Sequence, residues 1–207
     1  MDFRVGCGGW WDLAGGLPAY ARRFNFVEVN TSYYRLPLPA TARKWRRTVP
    51  GDFEFSVKLP RERPRDPAAV PAFLEALGAR YGVVHASSPW RDEALALLEA
   101  HGYVPVLEAR GRREGETPCP AGALPSLDHS ASPPPPSPSG GDAYLRVFGT
   151  EHGILDHLSS GMVYRTATWA RKYGTAGRER VRVVTHTVQM YEDAERIRRL
   201  LGEAGDG

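Results

Sequence analysis

A chain of 207 residues, 42% hydrophobic and 25% charged, is long enough to bury one core and has ordinary globular composition. No run approaches the ~18 apolar residues of a membrane span, and the start Met1-Asp2-Phe3-Arg4 carries no signal-peptide core, so a cytoplasmic protein is expected. A net charge of +3 and a pI near 9.0 would suit a nucleic-acid binder, but the arginines are scattered, and the pairs at 22–23, 46–47 and 198–199 fall in helical patterns, which reads as a solvated face.

Taken in chain order, a strand at 3–7 is followed by a helix at 16–24 carrying Leu17, Tyr20, Ala21 and Phe24 on one stripe. A strand at 26–30 precedes a helix at 40–48, and a strand at 53–58 precedes a helix at 68–79. Strands at 81–86 and 104–110 flank a helix at 91–101. Strands at 123–128 and 143–148, a helix at 164–173, a strand at 181–186 and a helix at 190–203 complete the chain. Strands alternating with helices imply parallel pairing. Eight of them imply an α/β (β/α)8 TIM-like barrel, which starts at roughly 200 residues. The expected architecture is one domain over 1–207, stripped to a minimum. Residues 111–122 hold too little apolar periodicity for a helix. The Pro/Ser/Gly-rich run 130–141 cannot be helical, because proline removes donors and fixes φ. Helices 5 and 6 of the barrel are therefore expected to be reduced or replaced by loops.

The strands share a phase. With period two, Val27, Val29, Val57, Leu107, Leu127 and Val147 face one way. Glu28, Lys58, His85, Glu108, Arg110, Asp128 and Arg146 face the other. Ionisable groups at strand ends, backed by apolar residues, are what a barrel mouth holding a reactive site requires. The same acids and bases would also suit an inert ion-pair network. Their location favours the functional reading, since a structural plug is more naturally apolar.

Three linked stretches carry a resemblance: Val5-Gly6-Cys7-Gly8-Gly9-Trp10, then Phe24-Asn25-Phe26-Val27-Glu28-Val29-Asn30 running on to Tyr34-Arg35-Leu36-Pro37, then Phe53-Glu54-Phe55-Ser56-Val57-Lys58. With Val106-Leu107-Glu108-Ala109-Arg110, Tyr144-Leu145-Arg146-Val147-Phe148-Gly149 and Met190-Tyr191-Glu192-Asp193-Ala194, they resemble the YecE-like family, also called domain of unknown function 72. The resemblance implies a TIM-type barrel, in agreement with the strand count, and supplies no activity. The chain departs from the family pattern at Phe148, where histidine is usual, at Thr185-His186-Thr187, where paired asparagines are usual, and at His85-Ala86-Ser87-Ser88-Pro89. His186 is placed to substitute for the missing histidine.

Ligands of such barrels bind at the C-terminal ends of the strands. Glu28 and Glu108, from strands nearly opposite in the ring, are candidates for general acid and base on two faces of a small substrate. Lys58 is a candidate proton carrier or amine nucleophile. Asn30, Tyr34, Arg35, Arg110, Asp128, Arg146 and His186 are candidate substrate-binding residues. Arg110 and Arg146 are expected to share Asp128 and turn spare donors toward an oxyanion, so that Arg146→Met would remove anion binding and leave the fold intact. Trp10, Trp11, Tyr33 and Tyr34 either line the mouth or pack its loops. Glycines 6, 8 and 9 either admit a ligand or pack a strand end. Cys7 and Cys119 lack zinc-site spacing, and Cys7 reads as a small buried residue. A divalent metal held by His85, His129 and His186 with Glu28, Glu108 and Asp128 is the less favoured reading, and no nucleotide-cofactor motif is present. The expected function is acid–base catalysis of the hydrolase, lyase or isomerase type on a small anionic or sugar-like molecule. The alternative is a non-catalytic binder of a small anion or nucleotide. The expected partner is thus a small, preferentially anionic molecule, rather than a membrane or a nucleic acid.

Overall fold

The computed structural model describes residues 2–108, 123–128, 141–150, 153–175 and 180–202. Among the described residues ten strands occur in chain order: β1 (Asp2–Cys7), β2 (Phe26–Val29), β3 (Glu54–Lys58), β4 (Ala79–His85), β5 (Val104–Glu108), β6 (Leu124–Asp128), β7 (Asp142–Val147), β8 (Gly149–Thr150), β9 (Gly153–Ile154) and β10 (Arg180–Thr185). All except β8 and β9 form a closed barrel in the order β1-β2-β3-β4-β5-β6-β7-β10, parallel throughout. The short pair β8 and β9 is an antiparallel addition after the β7 end. The expected loop replacements of helices 5 and 6, with Arg110, Cys119 and His129, lie outside the described residues.

Six helices accompany the strands among the described residues: α1 (Gly16–Ala21), α2 (Pro39–Arg47), α3 (Ala69–Leu77), α4 (Arg91–Ala100), α5 (Ser160–Thr175) and α6 (Met190–Leu201). Their ends follow local chemistry. Pro39 opens α2, where its missing N–H costs nothing. In α6, Glu192 and Asp193 lie in the first turn and Arg198 and Arg199 in the last, complementing the helix dipole, and Gly202 closes the helix at φ 79°. The helix expected at 164–173 begins earlier, at Ser160, because the Ser159 hydroxyl accepts the Met162 N–H at 3.2 Å. Gly161 in the first turn masks that start in the sequence. Among the described residues no helix is long and apolar enough to cross a membrane.

The period-two phase divides the core. Val27, Val29, Val57, Leu107 and Val147 pack outward with Phe73, Leu74, Leu98 and Ile197 of the helices. Phe26, Tyr81, Val83, Val106, Leu124, Tyr144 and Val184 fill the barrel interior. The β1–β2 seam has a single registered pair, Cys7 with Val27. Tyr20 bridges it from α1: its hydroxyl accepts the Cys7 N–H and donates to the Phe26 carbonyl, each at 2.8 Å. Gly6 is required there, because a Cβ would collide with that same Phe26 carbonyl. At the N-terminal end of the barrel, fully buried Arg182 binds Glu54 (2.5 Å) and Asp2 (2.7 Å). Asp142 accepts from Tyr81 at 2.8 Å and pairs with Arg80 and Arg180.

Candidate functional site

At the opposite, C-terminal end, β3, β4 and β5 close on Lys58, His85 and Glu108, each the last residue of its strand. Glu28 stands in the middle of β2, and Arg146 one residue before the end of β7. Arg146 is wholly buried. Its guanidinium donates to Glu28 Oε1 at 2.6 Å and pairs with Glu108 Oε1. The other Glu28 oxygen accepts from the Tyr144 hydroxyl at 2.9 Å, and that hydroxyl lies 2.7 Å from Ser56 Oγ. Lys58 Nζ completes the chain of contacts at 2.8 Å from Glu108 Oε2. Two carboxylates, one guanidinium and one ammonium thus neutralise one another inside the barrel, as buried charges must.

Above this layer lies a cavity of about 580 Å³. Lys58, His85, Glu108, Asn30 and His186 form its polar surface, and Trp10, Trp11, Tyr33, Tyr34, Trp45 and Phe148 its aromatic one. Tyr33 belongs to a 3-10 turn over Thr31–Tyr33. Ser32 fixes that turn by donating to the carbonyls of Val29 (2.8 Å) and Lys58 (2.6 Å). The Tyr33 ring thereby comes to lie 4.5 Å from Lys58 Nζ, a cation–π contact. Trp45 reaches in from α2 and meets Trp10 edge to face at 5.1 Å. Asn30 donates to the Gly8 carbonyl at 3.0 Å and faces His186 Nδ1 at 3.2 Å. Gly8 leaves room for both, since a Cβ there would strike the His186 and Asn30 side chains.

The titratable groups respond to this packing. Burial alone would raise the Glu108 carboxyl, but Arg146 and Lys58 outweigh it and hold the group at about 2. Burial, assisted by Arg146, lowers the Lys58 ammonium against the opposing pull of Glu108 and Glu28. Burial likewise lowers His85. Its Nδ1 accepts the Ser87 N–H at 3.2 Å, so the neutral ring carries its proton on Nε2. The Cys7 thiol is pushed up to about 12 by burial, which makes it a poor nucleophile.

Several expected site residues are therefore distributed differently from the reading of the strands. Lys58, Glu108, Asn30, Tyr34 and His186 line the cavity. Glu28 and Arg146 do not: both are fully buried beneath it. Glu28 and Glu108 are joined by one guanidinium, and Glu108 lines the cavity. Arg146 pairs with Glu28 and Glu108 and is not part of the cavity wall, where an anion-binding fork was expected. Asp128 is in register with Arg146 on the neighbouring strand; the expected sharing of that acid with Arg110 involves residues outside the described set. Arg35 is exposed and is not part of the cavity wall. Trp45 and Phe148 were not legible as site residues. Trp45 shares a helical stripe with Ala42 and reads as core, and Phe148 stands where a histidine was sought. His186 packs against Phe148, ring centroids 5.3 Å apart. Among the described residues no three His, Cys, Asp or Glu side chains gather in a metal-holding group.

The motifs that build this mouth have known relatives. Residues 8–66 match the model of the family described as protein of unknown function DUF72. Over that segment the chain is similar to DUF72. UPF0759 protein YecE of Escherichia coli K12 is 48% identical over 44 residues, 21% of this chain and 16% of that protein, and YecE of Escherichia coli O157:H7 matches equally. The match thus spans only a sixth of the curated relatives. Two crystal structures of a DUF72 family protein from Enterococcus faecalis V583 share the fold along nearly the whole chain. One has a TM-score of 0.71 at 17% identity, over 97% of this chain and 95% of the other. The second has a TM-score of 0.64 at 15% identity, over 97% and 98%. The DUF72-like segment supplies the Gly8–Trp10 turn, Glu28, Asn30, Tyr33, Trp45 and Lys58, which is most of the candidate site.

Proposed function

We propose that the mouth is the active site of an enzyme that moves protons on a small sugar-like molecule, by lyase, isomerase or hydrolase chemistry. The observation that carries this reading is the Lys58–Glu108 pair, at 2.8 Å, on the floor of an aromatic-walled cavity. Glu108, held at about 2, stays a carboxylate at neutral pH and is a poor general acid. Its role is to position Lys58. The groups placed in the cavity to transfer protons are Lys58 and His85, whose charged forms are both disfavoured by burial. Glu28 acts at one remove, by holding Arg146.

Charge decides between the two substrate classes. Glu28 and Glu108 are matched by Arg146 and protonated Lys58, so these four leave no surplus cation for an anion. Aromatic faces with a neutral polar floor suit a polyhydroxylated molecule better. Non-catalytic binding is the second reading, because the exposed rings of Trp11 and Tyr34 (75% and 88% accessible) could stack on a ligand without any chemistry. Incubating a metabolite extract with wild type and with Lys58→Met, followed by mass spectrometry, separates the two. The enzyme reading expects a metabolite that disappears and a product that accumulates with wild type only. A ligand retained unchanged by both proteins would leave binding alone.

A further inference from the structure

Lysine occurs at only three positions in this chain, 44, 58 and 172. Elsewhere the chain meets its buried acids with arginine: Arg146 at the mouth and Arg182 at the opposite end. Arginine keeps its charge in proteins, whereas a buried lysine can shed its proton and become a nucleophile. Lys44 and Lys172 are exposed. Lys58 is the lysine placed on the floor of the cavity, its side chain 12% accessible. Two contacts hold its amine in place, Glu108 at 2.8 Å and the Tyr33 ring at 4.5 Å. His85, on the neighbouring strand, lines the same space. An ion pair serving only stability would not need its deprotonatable member on the wall of a cavity open to a ligand.

We infer that Lys58 captures a small aldehyde or ketone as an imine, so that the substrate is an open-chain hydroxycarbonyl compound. This rests on the reading of the mouth as an active site and names its substrate class. Lys58 first releases its ammonium proton to solvent, a step favoured by burial and by the neighbouring Arg146, which lower its pKa. The nitrogen lone pair then forms a C–N bond to the carbonyl carbon. The C–O π pair moves to oxygen, which takes up a proton from solvent. The nitrogen loses a proton, the hydroxyl is protonated and leaves as water, and C=N forms. No oxidant or reductant is consumed. The protonated imine withdraws electrons from the adjacent carbon, and neutral His85 is the base available in the cavity for a proton there. Glu108 stays anionic and stabilises the iminium.

Reductive trapping tests this on the intact wild-type chain. The protein is incubated at pH 7 with glycolaldehyde, glyceraldehyde or dihydroxyacetone and sodium cyanoborohydride, which reduces C=N to a stable secondary amine. Peptide mapping by mass spectrometry then locates the adduct. The inference expects Lys58 to be labelled severalfold more than Lys44 or Lys172 with at least one of the three probes. Labelling of Lys44 and Lys172 equal to or above that of Lys58 with every probe would overturn it. The comparison is internal to one folded protein, so no variant has to fold. Failure here is separable from failure of the wider reading. Lys58-dependent conversion of a metabolite without an adduct at Lys58 removes the imine and keeps acid–base catalysis. Absence of any conversion in the extract removes the enzyme reading itself.

Discussion

Both ends of the barrel bury an arginine between two acids. Arg146 lies between Glu28 and Glu108 at the mouth, and Arg182 between Glu54 and Asp2 at the base. Both guanidinium side chains are 0% accessible. The ends differ in what surrounds the triad. At the base the further cations are Arg4, Arg80 and Arg180, and the acid Asp142 is tied down by Tyr81. At the mouth the further cation is Lys58, and above it opens a cavity walled by aromatic rings. A buried charge network is therefore no mark of a site in this fold. What distinguishes the mouth is a titratable member of the network on a cavity wall, and on the proposed reading this matches the general division of such barrels into a functional C-terminal face and a stabilising N-terminal one.

The largest effect that tests this comparison is loss of either arginine. Removing one partner of a buried ion pair costs about 3–5 kcal/mol. Arg146→Met is expected at the upper end in urea unfolding, because Glu28 and Glu108 are 0% and 2% accessible. Arg182→Met is expected to cost less, because Asp2 is 43% accessible and can return to water. The reverse order would mean that the mouth network is the more weakly coupled of the two.

Acid comes next. A carboxylate at about 2 in the folded protein, against about 4.3 unfolded, contributes stability that is complete above about 4.3 and is lost as pH falls toward 2, roughly 3 kcal/mol in all. Glu108→Gln should accordingly be less stable than wild type at pH 7, with the gap narrowing as pH drops through that window. A gap independent of pH would show that the Glu108 charge contributes nothing.

Smaller effects separate packing from function at the glycine turn. Gly6→Ala places a Cβ against the Phe26 carbonyl, a backbone atom, and should cost about 1–3 kcal/mol as overpacking does. Gly8→Ala meets first the side chains of His186 and Asn30 rather than backbone, and a side chain can shift where backbone cannot. It should lower Tm less than Gly6→Ala while disturbing ligand binding more. Last, Trp11→Ala, at a side chain 75% accessible, should leave stability within about 0.5 kcal/mol and weaken binding of a sugar-like ligand. A large loss of Tm in Trp11→Ala would make the aromatic wall a structural element.

The barrel was legible because both of its signals are local. Alternation within each strand separated Val27 and Val57 from Glu28 and Lys58, and the helical stripes of α3 and α6 repeat every turn. The site was only partly legible, for a geometric reason. Phase tells which face a side chain occupies but not its height along a tilted strand, and barrel strands are staggered. Glu28 was thus assigned to the mouth with Glu108, although it sits a layer lower, where Tyr144 and Arg146 meet it. Trp45 arrives from a helix, which strand phase cannot report. Phe148 stands where the family pattern has histidine, and nothing local in its sequence reports the cavity it lines.

The central claim is that Lys58 is the reactive amine of the mouth. Competitive acetylation across a pH series measures it directly, since peptide mapping yields a titration curve for each of the three lysines in one sample. The account predicts that Lys58 titrates at lower pH than Lys44 and Lys172, because burial and Arg146 disfavour its charged form. A Lys58 that titrates with the two exposed lysines or above them would show that Glu108 simply locks it as an ammonium, and the mouth would then be a second structural network like the base.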